Sequence, residues 1–185
     1  MLLALIAVLA VFALLAWTMF VFNRLVRLRN QSRAAWADID VQLQRRHDLV
    51  PQLVHVVEGY AAHEASTLQA VTDLRRTAMS LNQPGQLAEV EASLERALGR
   101  LIALQEAYPD LKANQNFAQL SDELVKVEEQ LQYARRFYNG AVRDYNDGLQ
   151  RFPDMLVAQR GNFSEAAFFQ AEADGRAAVK LDLQS

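Results

Sequence analysis

The first 22 residues carry no charged side chain, and Thr18 is the only one of them outside the hydrophobic set. No other feature constrains the chain as strongly. Written as a helix, the run reaches about 33 Å at roughly 1.5 Å per residue, which matches a hydrocarbon core of about 30 Å. The run is expected to be a transmembrane anchor over residues 1–22. A cleaved signal peptide is the competing reading, because Ala7, Ala10 and Ala13 offer Ala-x-x-Ala spacing. Against it stand the length of the run and the absence of a basic residue ahead of it. Trp17, Phe20 and Phe22 gather at the far end, where aromatic rings favour the headgroup boundary, and Arg24, Arg27, Arg29 and Arg33 follow. The positive-inside rule then sets the amino terminus outside and the remainder in the cytoplasm. The same four arginines are candidate headgroup contacts, at about 1 kcal/mol each beside anionic lipid.

All 19 basic and 22 acidic residues lie beyond Phe22. A net charge of −3 does not suit a strongly basic nucleic-acid binder, so no nucleic-acid partner is expected. The absence of cysteine excludes disulfide scaffolds, thiolate metal sites and cysteine catalysis.

Helical periodicity dominates what remains. Leu25, Leu28, Ser32, Ala35, Ile39, Leu43 and Arg46 recur at steps of three and four, so the anchor is expected to continue as a long amphipathic helix. Pro51 is expected to break it, with a corner over residues 48–50 and Asp48 capping the segment that follows. That second segment carries Leu53, Val57, Tyr60, Leu68, Val71 and Leu74 and ends before Asn82, Gln83, Pro84 and Gly85. A third helix is expected over residues 86–106, terminated by Pro109. The fourth has the clearest pattern: Phe117, Leu120, Leu124, Val127, Leu131, Ala134, Tyr138, Ala141, Tyr145, Gly148 and Phe152 alternate three and four. Long helices with short connections pack antiparallel, so the expected class is all-α, an elongated antiparallel bundle of long helices behind a transmembrane helix. The expected division is an anchor over 1–22, a bundle over 23–158 and a loosely structured tail over 159–185.

Chemistry is harder to find. Carboxylate-bridged metal sites in bundles need Glu-x-x-His pairs, and none of His47, His55 and His63 has a Glu at that spacing before it. Asp38 and Asp40 point away from each other on a helix, and there is no phosphate-binding glycine loop or nucleophile elbow. The expectation is a protein without catalytic residues, metal or cofactor. A candidate interaction surface lies where charges are dense: Trp36, Asp38, Asp40, Arg45, Arg46, His47, Asp48 and Tyr60. A candidate polar seam lies in the repeated pairs Tyr138, Asn139 and Tyr145, Asn146, seven residues apart. Those phenols either join a polar network inside the bundle or sit wet at the core edge.

The stretch RNQSRAAWADIDVQLQRRHDLVPQLVHVVEGYAAHE, residues 29–64, closely resembles the hallmark segment of the LemA family. LIALQEAYPDLKANQNFAQL (101–120) and ARRFYNGAVRDYNDGLQRFP (134–153) are similar to later family segments, in the family's order. Gln44, Gln52 and His55 depart from the family's more frequent Lys, Asn and acidic residue, and Gln159 and Arg160 stand where many members carry an apolar, glycine-rich ending. The resemblance also relates the chain to LemA-like magnetosome proteins. It implies a single amino-terminal anchor, an elongated helical domain and no enzymatic activity to carry over. The expected function is therefore a non-enzymatic, single-pass scaffold or adaptor of a bacterial inner membrane. Its expected partners are membrane lipids, copies of itself and another envelope membrane protein. An anionic-lipid-binding or membrane-remodelling module is the alternative, and a metal-dependent bundle enzyme the third.

Overall fold

The computed structural model describes residues 1–170, and every regular element among them is helical. In order these are α1 (Leu2–Glu58), α2 (Ala65–Met79), α3 (Pro84–Ala103), a 3-10 turn (Leu104–Glu106), α4 (Pro109–Lys112), α5 (Gln115–Gln150) and α6 (Asp154–Arg160). The all-α class follows from the periodicity, and α1 begins with an apolar stretch long enough to cross a membrane. The part of the expected tail from residue 171 onward lies outside the described residues.

One expected break is absent. Helix α1 passes through Pro51 and ends seven residues later. Proline forfeits an amide and its ring crowds the carbonyl four residues back, at a cost of about 3 kcal/mol. The buried positions nevertheless continue across it, as Leu43, Arg46, Val50, Leu53 and Val57 at steps of three and four. Burying the last two side chains is worth roughly 1.5–3 kcal/mol each, enough to offset the penalty. Asp48 therefore caps nothing; it lies inside the helix and accepts a hydrogen bond from Gln44 Nε2 at 3.0 Å. The stop comes at Gly59, where the Tyr60 and Ala61 amides both donate to the Val57 carbonyl, at 3.0 and 2.8 Å. The expected second helix is thus divided by a turn before α2.

The chain forms two compact units, one from residues 1–49 with 119–168 and one built on residues 50–118. In the second, α2 and α3 pack on each other. They bury Leu68, Val71 and Ala78 from α2 and Leu87, Leu94, Leu98 and Leu101 from α3. Pro84 and Pro109 occupy the first turns of α3 and α4, where the missing amide costs nothing. Asn114 Oδ1 accepts the Phe117 amide at 2.9 Å and so caps the start of α5.

In the first unit α1 and α5 run antiparallel. The Arg24 guanidinium meets Asp154 at 2.8 Å, the Trp36 and Tyr138 rings lie 5.2 Å apart, and Arg46 donates to Glu128 at 2.7 Å. A Cβ on Gly148 would stand 3.2 Å from Leu28 and 3.3 Å from Leu25, so the absent side chain lets the helices approach. The pairs 36 with 138 and 46 with 128 both sum to 174, so a residue n of α1 lies level with residue 174 − n of α5. Phe152, expected as the last member of the seam, is instead 75% exposed, because α5 stops at Gln150. Beyond it α6, an element the periodicity did not announce, adds Val157 and Ala158 to a cluster with Val21, Leu25, Tyr145 and Leu149.

Candidate functional site

Two arrangements in the first unit bring the singled-out residues together. The first is a clasp. Residues 162–170 have no regular structure, yet the Tyr138 hydroxyl donates to the Ala167 carbonyl at 2.7 Å and the Tyr145 hydroxyl to the Ser164 carbonyl at 3.0 Å. Asn146 closes a two-way contact with Ala166, donating to its carbonyl at 3.0 Å and accepting from its amide at 2.9 Å. Gln150 Nε2 donates to Glu165 at 2.7 Å. The Phe163 ring packs edge-on against Phe22 and beneath the Arg29 guanidinium. Both phenols are buried, and burial pushes their hydroxyls above the ordinary phenol range; for Tyr145, Arg29 and Arg33 pull partly the other way. The seam thus anchors the chain's own backbone. Asn139 lies beside it, half-buried.

The second arrangement is an open groove along one side of α1 and α5. It consists of two adjoining hollows of about 350 and 360 Å³ that share Gln130. Asp38, Val41, Arg45 and Asp48 line it from α1, and Glu123, Lys126, Tyr133 and Phe137 from α5. From residue 123 to residue 137 it extends about 21 Å at roughly 1.5 Å per residue. Val41, Tyr133 and Phe137 are 51%, 68% and 55% exposed, an apolar patch well past the seam. The register places Asp38 level with Arg136, Val41 with Tyr133, Arg45 with Glu129 and Asp48 with Lys126. Arg136, which stacks over the Tyr133 ring, and Glu129 do not line the groove, so within it the opposite charges that stand level are Asp48 and Lys126. Among the described residues, Asp38, Arg45, Lys126 and Glu129 take part in no ion pair.

The expected surface is divided by this geometry. Asp38, Arg45 and Asp48 line the groove, whereas Asp40 is exposed elsewhere on α1. Arg46 and His47 are buried, at 0% and 5% exposure, and so do not belong to an exposed face. Arg46 falls on the seam itself, where its charge is matched by Glu128; His47 is the next residue on the inward side of α1. Trp36 is half-buried against Tyr138, and Tyr60 belongs to the second unit, accepting from Asn114 Nδ2 at 2.9 Å. Of the four arginines after the uncharged run, Arg24 is paired with Asp154 and Arg29 stacks on Phe163, while Arg27 and Arg33 are exposed. Periodicity missed Tyr133 and Phe137. The signal was present: two aromatic residues at i and i+4, off the main seam of a strict heptad helix, mark a second apolar stripe. Among the described residues no three His, Asp or Glu side chains are grouped to hold a metal ion.

The sequence profile of the LemA family matches residues 35–183. The magnetosome protein MamQ 2 of Paramagnetospirillum magneticum is 25% identical over 196 residues, covering 92% of this chain and 72% of that protein. MamQ of Magnetospirillum gryphiswaldense is 22% identical over the same shares. Protein LemA of Metamycoplasma hominis is 27% identical over 150 residues, 80% of this chain and 68% of its own.

Proposed function

Since the chain belongs to the LemA family, we propose that it is a non-enzymatic membrane-anchored scaffold whose first unit assembles with copies of itself through the α1/α5 groove. The observation that carries this reading is the groove's exposed apolar patch of Val41, Tyr133 and Phe137, with Asp48 level with Lys126 beside it. Two copies anchored in one membrane point the same way, so a two-fold axis along the membrane normal keeps every level where it is. The α1 of one copy then meets the α5 of the other, and residue n still faces residue 174 − n. Asp48 meets Lys126, and Val41 meets Tyr133. A charged pair at one level and an apolar pair at another disfavour a shifted pairing as well as favouring this one. Confinement to the membrane plane raises the effective concentration of like-oriented copies, so a modest interface suffices.

The reading includes an orientation. The four arginines following the anchor support a cytoplasmic position for the domain, in a bacterial inner membrane, with the amino terminus outside.

Charge reversal in the full chain tests the pairing. Asp48→Lys places two like charges level on each side of the two-fold axis, and the expected result is about a tenfold weaker dimer in lipid nanodiscs, measured by mass photometry. Adding Lys126→Asp in the same chain restores it. A dimer population indifferent to the single reversal, or a double variant no better than the single, would falsify the proposed interface.

A further inference from the structure

Exposed apolar surface is not confined to the anchor. It continues onto Phe152, 75% exposed, just before α6, and Leu156, 41% exposed, within it. That short helix lies against the last part of the uncharged run: Val157 and Ala158 share a cluster with Val21 and Leu25, and Trp17 packs on it. Between α1 and α6 opens a cleft of about 470 Å³, lined by Leu14, Trp17 and Phe22 on one side and Leu156, Val157 and Arg160 on the other. Leu14 to Phe22 occupies about 12 Å of helix rise at the end of the run. The cleft therefore opens at the depth where acyl chains give way to headgroups.

Its walls are apolar apart from Thr18, whose hydroxyl donates to the Leu14 carbonyl at 2.8 Å, and its one charged member is a cation. Nearby arginines are committed elsewhere, Arg24 to the Asp154 carboxylate and Arg29 to the Phe163 ring. Arg160 is exposed at the last turn of α6. We propose that this cleft is a binding site for one phospholipid with an anionic headgroup. An acyl chain lies along Leu14, Trp17, Phe22 and Leu156, and the headgroup phosphate meets Arg160. The depth argues for a lipid over a water-soluble phosphate, since a free anion would have to enter a wall of leucine and aromatic rings. Phe152 and Leu156 then rest in the interface, and α6 becomes a second membrane contact beside the anchor. This holds whichever side of the membrane the domain occupies, and it does not depend on self-association.

The chain's two tryptophans make the site readable. In the full chain carrying Trp36→Phe, Trp17 is the sole reporter. Reconstituted into vesicles, it is expected to be quenched by brominated phosphatidylglycerol with about fivefold preference over brominated phosphatidylcholine, the preference one cation supplies near a surface. Arg160→Gln should abolish the preference and leave quenching by the two lipids equal, while Arg143→Gln, exposed on α5, should leave it intact. Soluble glycerol phosphate should not compete. Equal quenching in the parent chain, a preference that survives Arg160→Gln, or competition by glycerol phosphate would each overturn the site.

Discussion

Replacing Tyr145 with Phe keeps the ring in the core and removes only the hydroxyl that donates to the Ser164 carbonyl. The expected loss is about 1 kcal/mol, the usual worth of one hydrogen bond. Asn146→Ala breaks both halves of the contact with Ala166 and leaves that residue's backbone groups without their partner. Its expected loss is about 2 kcal/mol, and denaturant unfolding of the full chain in detergent measures both. The phenols also set an alkaline limit. Burial raises the Tyr138 and Tyr145 hydroxyls above the ordinary value of 10.0, so the unfolded chain ionises first as pH rises. Their contribution is whole below about pH 10 and is lost as pH climbs through the raised values of the folded state. The double Tyr→Phe variant should blunt that alkaline loss; an unchanged alkaline limb would place its origin elsewhere. None of this clasp was readable beforehand. A Tyr-Asn repeat announces polar groups on a seam, but their partners are backbone atoms of Ser164, Ala166 and Ala167, and a backbone carbonyl leaves no trace in the identity of the residue that carries it.

At the scale of elements, the seams were legible and so were the stops before Asn82 and Pro109, but the end of α1 was not. Leu25 to Arg46 and Phe117 to Tyr145 lie on buried faces because a three-four alternation over many turns has one physical meaning. Pro51 misled for the opposite reason. A local rule about one amide was overridden by burial of Leu53 and Val57 on the same face, which a rule about residue 51 alone does not weigh. A testable consequence is that Pro51→Ala, restoring an amide to a helix that already runs through the position, should stabilise the chain by up to about 3 kcal/mol. A destabilised variant in thermal unfolding would mean that the proline ring makes packing contacts worth more than the amide. The charged pair inside the seam follows a similar logic. Arg46 was visible as a polar member of an apolar series, and a cation on a buried face needs an anion level with it, but periodicity does not say which carboxylate on which helix. The register of α1 against α5 became known only from the contacts.

For the molecule as a whole, the architecture was legible and the working surface only half so. An uncharged run followed by arginines and then by heptads describes a helical protein whose first stretch is long and apolar enough to cross a membrane. Dense charge around residues 36–48 pointed toward the right part of α1 but could not separate Asp38, Arg45 and Asp48, which line the groove, from Arg46 and His47, which are buried. Half of the groove comes from α5, nearly ninety residues later in the chain, and no local pattern links the two. The proposed meeting of like-oriented copies through that groove, on the cytoplasmic side of the membrane, can be tested directly because the chain has no native cysteine. Two differently tagged full chains, one carrying Val41→Cys and the other Tyr133→Cys, are produced together and treated in intact cells with a short bis-maleimide, in membrane-permeant or impermeant form. A mixed cross-linked dimer is expected with the permeant reagent alone, and none when Tyr133→Cys is replaced by Gln132→Cys, exposed on another side of α5. No mixed product, an equal yield from Gln132→Cys, or reaction with the impermeant reagent would contradict it.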